Sequence, residues 1–342
     1  MERRAQPSYN RYRSYMKPDL SVVVPLFNEE PNLLDLHREL SNVLTAWGRP
    51  YEMIFVDDGS TDGTFSVLAD IQSRDMTVRV IRLRKNFGQT AAFAAGFAHA
   101  RGKLIATSDG DLQNDPADLP AMVDKIDDGF DIVCGWRKER KDPWLTRRFV
   151  SNVANWLISK TTGVHLHDYG CSLKVFRSEV IQSLRLYGEM HRFIPALASE
   201  QGVRIHEVVV NHRPRRQGVS KYGLSRMPRV VLDLVTVKFL LSYSTRPLQM
   251  FGPPGLLMGL AGTAIVGYLG YVRLFAGQAI GDRPVLLLGI LLLFAGMQLV
   301  TLGLLAEMQA RTYHESQNKA IYVVRDLLEP KQPQGLEGDG RG

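Results

Sequence analysis

Two uncharged runs near the C-terminus constrain this chain more than any other feature. Leu248 to Val272 and Val285 to Ala306 contain no Asp, Glu, Lys or Arg. At about 1.5 Å of rise per residue, either run is long enough to cross about 30 Å of hydrocarbon as a helix. The competing reading, a pair of buried core helices, needs a large protein around both runs. Lys and Arg set the expected orientation. Arg213, Arg215, Arg216, Lys221, Arg226, Arg229, Lys238 and Arg246 precede the first run with only Asp233 against them, whereas the connector holds Arg273, Asp282 and Arg283. Both termini are therefore expected on the cytoplasmic side, with the connector around Phe275 to Asp282 opposite.

The first residues (Arg3, Arg4, Arg11, Arg13, Lys17) carry charge with no apolar segment behind them. That reads as a basic tail over 1–18 suited to anionic lipid, not as a signal peptide. A formal net charge of +7 over 342 residues fits a membrane-surface protein handling phosphates. No base-reading module is present and the basic residues cluster next to the spans, so nucleic acid is not an expected partner. Cys134 and Cys171 have neither metal-ligand spacing nor a disulfide framework, and are expected to be reduced and packed.

Between the tail and the spans, β-branched runs alternate with apolar sets at helical spacing. Leu20 to Phe27, Tyr51 to Val56, Val78 to Leu83, the short apolar run that opens Leu104 to Pro116 and ends at Asp109, and Asp131 to Gly135 read as strands. Helices are expected around Leu33 to Leu44, Thr64 to Arg74, Thr90 to Ala100 and Met122 to Ile126. This alternation implies an α/β domain with a mostly parallel sheet covered on both faces. Ligands collect outside the carboxyl ends of such strands, which puts Pro25 to Glu29, Asp57-Asp58, Asp109 to Gln113 and Arg137 along one rim.

The stretch Leu104 to Pro116 is the most informative of these. A short apolar strand ends in Asp109-Gly110-Asp111, where glycine is expected to turn the backbone so that both carboxylates face one point. Two hard oxygen donors so placed suit Mg²⁺ or Mn²⁺ carrying a diphosphate, with Gln113 as a third ligand; a plain surface turn is the alternative. There is no Gly-x-Gly-x-x-Gly after the first strand and no P-loop, so metal and basic side chains must hold any diphosphate.

Taken in order, Val24-Pro25-Leu26-Phe27-Asn28-Glu29, Val56-Asp57-Asp58-Gly59-Ser60, Asn86-Phe87-Gly88 and Asp109-Gly110-Asp111-Leu112-Gln113 resemble the family 2 inverting glycosyltransferases of the GT-A fold. Asp168-Tyr169-Gly170-Cys171, the run His212 to Tyr222 and the two apolar runs extend the resemblance to the polyprenyl-phosphate (undecaprenyl or dolichyl phosphate) sugar transferases. The resemblance covers roughly Leu20 to Leu328. It implies a nucleotide-sugar donor, with a UDP-sugar favoured, a polyprenyl phosphate acceptor, and a bacterial inner membrane setting.

By that resemblance Pro25, Phe27, Glu29, Val56 and Asp58 hold base and ribose, and Asp109, Gly110, Asp111 and Gln113 the metal and diphosphate. Phe27 stands where many relatives have Tyr, which keeps stacking and loses a hydroxyl contact. Glu29 also suits a helix N-terminus. Arg137 is expected at both the nucleotide-sugar and the acceptor phosphate, Arg147 and Ser151 at the acceptor phosphate, and Arg215 and Lys221 at the departing diphosphate. Asp168 orients sugar or acceptor, acts as a base, or merely caps the Tyr169 turn. The basic loop can equally be a juxtamembrane lipid-binding patch.

The expected organisation is a tail (1–18), a cytosolic GT-A domain (19–225), an interfacial amphipathic helix (226–246), two transmembrane helices (247–307) and a cytoplasmic tail (308–342). A second interfacial or core-facing helix is expected around 149–160. Glycines in the spans, Gly259 and Gly296 among them, favour close helix packing within the chain or in a homo-oligomer. A processive polysaccharide synthase is disfavoured, since no Gln-x-x-Arg-Trp occurs and only two spans do. The rival from another class is a non-catalytic membrane scaffold of the same fold; a transferase acting on a different lipid is a nearer alternative.

Overall fold

The computed structural model describes residues 17–138, 159, 163–184, 186, 190–199, 201–214, 248–281, 283–316 and 321–330. The chain forms two compact units, residues 1–230 with 320–342, and residues 231–319.

The first unit is built on an eight-stranded sheet. Its strands are β1 (Leu20–Leu26), β2 (Tyr51–Asp57), β3 (Val78–Leu83), β4 (Leu104–Thr107), β5 (Ile132–Trp136), β6 (Lys174–Arg177), β7 (Ile205–Val209) and β8 (Val324–Leu328). They lie in the order β7-β5-β6-β4-β1-β2-β3-β8. The β2-β1-β4, β2-β3 and β5-β7 pairings are parallel, while β6 runs antiparallel to both β4 and β5. Two reversals across β6 return β5 to the direction of β4, so Leu26, Asp57, Thr107 and Trp136 all end on one rim.

The strands read as near-continuous apolar runs because both faces are covered. Helices α1 (Leu33–Trp47), α2 (Thr64–Arg74), α3 (Gln89–His99) and α4 (Leu119–Asp127) supply the cover. Helix α1 buries Leu33, Leu36, Leu40 and Leu44, its 3.6-spaced set. Helix α3 is rich in Ala and Gly because it lies tight against β1: a Cβ on Gly96 would sit 2.2 Å from Val23 Cγ1. This is a GT-A-like α/β fold with a mostly parallel sheet.

Strand β8 is a difference from the sequence reading, which left 308–342 as a tail. It pairs antiparallel with β3. Its alternating exposure is that of a strand with one open face, and Arg79, 4% exposed, ties it down through Glu52 and Glu329.

The second unit contains two long helices, α5 (Leu248–Phe275) and α6 (Pro284–Ser316). Over Leu248–Phe275 and Pro284–Ala306 they are long and apolar enough to cross a membrane, and large side chains such as Leu257, Leu260, Leu274 and Phe294 point outward. They pack on each other through glycine. A Cβ on Gly255 would meet the Gly296 carbonyl at 2.9 Å, and one on Gly262 the Gly289 carbonyl at 2.7 Å. The seven-residue glycine steps therefore serve contact within the chain.

Candidate active site

The rim begins with two loops bound to each other. After β1, Asn28 N–H donates to Ser60 Oγ (2.9 Å) and Glu29 N–H to Thr64 Oγ1 (3.0 Å), while Thr61 N–H donates to Asn28 Oδ1 (2.9 Å). Asn28 adopts φ 55°, a left-handed conformation that a short amide side chain tolerates. The Glu29 carboxylate accepts from Asn32 Nδ2 at 2.7 Å. Pro25, Phe27 and Glu29 are half-buried along this loop, whereas Val56 is wholly buried in β2.

The Asp57-Asp58 pair is turned inward. Asp57 accepts from Ser60 N–H at 2.8 Å and faces Arg82 at 3.5 Å. Asp58, 4% exposed, accepts from Phe87 N–H (2.8 Å) and Gly88 N–H (2.9 Å), one to each carboxylate oxygen. Burial pushes the Asp58 carboxyl up from the ordinary carboxylate range; those two N–H groups oppose the push and the Asp57 charge adds to it. The Asn86-Phe87-Gly88 turn is thus held by Asp58, and the next residue, Gln89, donates to Asp109 Oδ1 at 2.8 Å. One turn joins the two acidic pairs.

At the end of β4, Asp109 also accepts from Ser172 Oγ at 2.6 Å. Burial raises its carboxyl above the ordinary range and the nearby charge of Asp111 raises it further, against the pull of Ser172, Arg137 and Lys174. The turn is made differently from the sequence expectation. Gly110 does not take a positive φ; the left-handed residue is Leu112, at φ 60°. Gly110 lies close under Leu26: a Cβ there would sit 2.4 Å from Leu26 Cδ2, so a larger residue would have to displace that side chain. Leu112 holds its costly conformation because its side chain, 4% exposed, is anchored in the hydrophobic core. Asp111 accepts from Gln113 N–H at 3.2 Å, closing the turn.

Arg137 leaves β5 on the same rim and grips Asp168 bidentately, Nε to Oδ2 at 2.7 Å and Nη2 to Oδ1 at 3.0 Å. Burial works against the guanidinium charge, but Asp168 outweighs it and holds Arg137 above its usual range. Asp168 is 1% exposed and takes Gly170 N–H as well. That arrangement makes Asp168 a buried counter-ion that orients Arg137 and closes the Tyr169 turn.

Sequence reasoning missed the far wall. Because β6 runs antiparallel beside β4, Thr107 registers with Lys174, and Ser172 and Lys174 arrive at the rim from the opposite direction. With Gln89, Asp109, His191 and Arg192 they line a small cleft. His191 Nδ1 meets Thr90 Oγ1 at 2.7 Å, so the 86–90 turn touches this wall too. The one available signal was position: Ser172 follows Asp168-Tyr169-Gly170-Cys171 directly. Burial pushes the Cys134 thiol up to about 12, which leaves it an inert packed side chain.

The root of the basic loop lies beside the acidic turn. His212 bridges to Asn114, Arg213 N–H donates to the Gln113 carbonyl at 2.9 Å, and the Arg213 guanidinium pairs with Glu39 (2.5 Å) and Asp115 (2.7 Å). Arg147, Ser151, Arg215, Lys221 and the helices expected around 149–160 and 226–246 lie outside the described residues. Among the described residues no three His, Cys, Asp or Glu side chains form a protein-only metal cage.

Residues 21–185 match glycosyl transferase family 2. A dodecaprenyl-phosphate galacturonate synthase of Rhizobium johnstonii is 46% identical over 317 residues, covering 91% of this chain and 93% of that one. An undecaprenyl-phosphate 4-deoxy-4-formamido-L-arabinose transferase of Edwardsiella ictaluri is 36% identical, covering 92% and 95%. The chain belongs to glycosyltransferase family 2. Among solved structures, glucosyl-3-phosphoglycerate synthase of Mycobacterium tuberculosis in complex with Mn²⁺ and UDP-glucose shares the fold, with TM-score 0.52 and 19% identity over 72% of this chain and 87% of that one.

Proposed function

We propose that this chain transfers a sugar from a nucleotide-sugar, with UDP-sugars favoured, to polyprenyl phosphate with inversion, giving a polyprenyl-monophosphate sugar at a membrane surface. The observation that carries the reading is coverage. Both polyprenyl-phosphate relatives align over more than nine-tenths of the chain, so the match takes in the carboxylate rim together with the two apolar helices.

A lipid phosphate is largely dianionic near neutral pH, since its second pKa is about 6. In-line attack at the anomeric carbon therefore needs no base. The work is to bring two anions together and to disperse charge on the departing nucleotide. Asp109 and Asp111, two hard carboxylates whose charges oppose each other, fit a divalent cation completed by substrate phosphates, with Gln113 beside them. When bound, Mg²⁺ or Mn²⁺ supplies charge neutralisation on the diphosphate. Phe27 and Glu29 face base and ribose, while Asp58 acts on the donor through the 86–88 turn. Arg215 and Lys221, which follow Arg213 in the sequence, stabilise the leaving diphosphate. Arg147 and Ser151 receive the lipid phosphate, with Arg137 between the two anions and Asp168 fixing its guanidinium. The positive-inside bias puts the catalytic unit and both termini on the cytoplasmic face of a bacterial inner membrane.

The test is to incubate purified full-length protein in detergent with undecaprenyl phosphate and radiolabelled UDP-hexoses, UDP-hexuronates and GDP-mannose. An organic-extractable, acid-labile labelled product is expected from at least one donor; label that stays aqueous with all of them contradicts the reading. Lys221→Ala is expected to raise the donor KM, and Arg147→Ala the acceptor KM.

A further inference from the structure

We propose that Arg213 is a positioning residue of the metal turn and not a phosphate ligand: it acts through Asp115 and Gln113 to hold the Asp109/Asp111 site in the shape that a divalent cation with nucleotide requires. This rests on the reading above that Asp109, Asp111 and Gln113 hold that cation. Place in the sequence suggests the opposite role, since Arg213 opens the basic run that ends at Lys221. Its geometry assigns it elsewhere. Both terminal nitrogens of its guanidinium are on carboxylates, Nη1 on Glu39 at 2.5 Å and Nη2 on Asp115 at 2.7 Å. Its backbone N–H donates to the Gln113 carbonyl at 2.9 Å.

The strip 211–213 meets three consecutive residues of the turn. Arg213 binds Gln113, His212 bridges antiparallel to Asn114, and Asn211 Nδ2 donates to Asp115 Oδ2 at 2.9 Å, beside the Arg213 contact to the same carboxylate. Asn211 N–H donates further along to Asp118, at 2.8 Å. What the strip holds is costly backbone, because Leu112, between Asp111 and Gln113, is left-handed at φ 60°. The Leu112 side chain pins the turn to the core from within, and the strip pins it from without. Gln113 is thereby bonded on both sides, its N–H to Asp111 Oδ1 at 3.2 Å and its carbonyl to Arg213. The hold extends to the other carboxylate. Asn114 Nδ2 donates to Ser172 Oγ at 2.8 Å, and that hydroxyl donates to Asp109 at 2.6 Å. Groups that orient metal ligands in this way set affinity without touching the ion, and their loss typically weakens binding about 10- to 100-fold. A guanidinium suits the task, since its planar fork fixes the direction of both carboxylate pairs at once.

Electron paramagnetic resonance of Mn²⁺ in full-length protein with UDP, set beside thermal melting in metal-free buffer, separates positioning from bracing alone. Arg213→Gln is expected to weaken UDP-dependent Mn²⁺ binding about tenfold or more, while UDP affinity measured by calorimetry in EDTA is unchanged. Arg213→Lys is expected to recover part of the loss, since it keeps a charge for Asp115 and loses the fork. Asp115→Asn breaks the pair from the other side and carries the same prediction if Arg213→Gln folds poorly. The double variant is expected to bind Mn²⁺ no more weakly than the worse single one; fully additive losses would show that the two residues act apart and would overturn the route through Asp115. Unchanged Mn²⁺ affinity in Arg213→Gln and Asp115→Asn, whatever their melting temperatures, makes Arg213 a structural brace and overturns the inference while leaving the transferase reading intact. Loss of UDP affinity in EDTA on Arg213→Gln assigns the residue to phosphate and overturns it as well. No UDP-dependent Mn²⁺ in the wild-type protein removes the metal site from the reading above and this inference with it.

Discussion

The two acidic pairs on the rim, Asp57-Asp58 and Asp109/Asp111, are written alike in the sequence and used differently in the fold. Each ends a parallel strand and each is followed by turn residues. In the first pair the oxygens go to the protein: Asp58 spends both on the Phe87 and Gly88 N–H groups, and Asp57 takes Ser60 N–H and the Arg82 charge. In the second pair, Asp109 is held by two side chains able to reorient, the Gln89 amide and the Ser172 hydroxyl, and faces a cleft. The difference teaches that carboxylates at strand ends report a rim; the donors that reach them distinguish a carboxylate braced by backbone from one held by side chains at a cleft.

The contrast can be broken experimentally, most strongly at Asp111. Asp111→Asn is expected to lower kcat by about 100-fold or more, as loss of a charge-stabilising group does, with an unchanged circular dichroism spectrum. Retained turnover would remove the second pair from catalysis. Next comes Asp58→Asn, which sets an amide NH₂ against a backbone N–H and is expected to cost about 1–3 kcal/mol in urea unfolding.

Asp109→Asn is expected to act with the opposite sign. The Gln89 amide and Ser172 hydroxyl can reverse to suit an amide, and the charge that burial and Asp111 oppose is gone. The folded carboxyl lies above its unfolded range, so its ionisation costs stability as pH rises past that range. The variant should therefore melt above wild type near pH 7.5 in metal-free buffer while losing activity, and its advantage should shrink as pH falls toward about 4. A lower Tm at pH 7.5 would make Asp109 a brace like Asp58. Smallest is Asp326→Asn on β8, whose ion pair to Arg82 spans 3.7 Å and is 41% exposed on the carboxylate side; the expected change is under about 1 kcal/mol.

Much of this was legible from residue pattern. Val78–Leu83 and Thr64–Arg74 fall where apolar spacing put them, because those segments bury what their periodicity exposes. The rim was legible too, since the parallel direction of β1, β2 and β4 follows from strand-helix alternation. What pattern cannot carry is the partner across the sheet. Lys174 sits in a four-residue strand whose antiparallel course brings it to the rim, and no local signal reports that course. Strand β8 was hidden for the same reason, lying far along the chain from β3. At Asp109-Gly110-Asp111-Leu112 the motif was visible and its mechanics were not. Glycine there serves contact with Leu26, and a buried leucine bears the left-handed turn.

The central claim is that the second carboxylate pair, and not the first, holds a divalent cation with the nucleotide. Electron paramagnetic resonance of Mn²⁺ titrated into full-length protein with UDP tests it directly. The account predicts one UDP-dependent Mn²⁺ per chain, abolished by Asp111→Asn and retained by Asp326→Asn. An undiminished bound-Mn²⁺ signal in Asp111→Asn would contradict it.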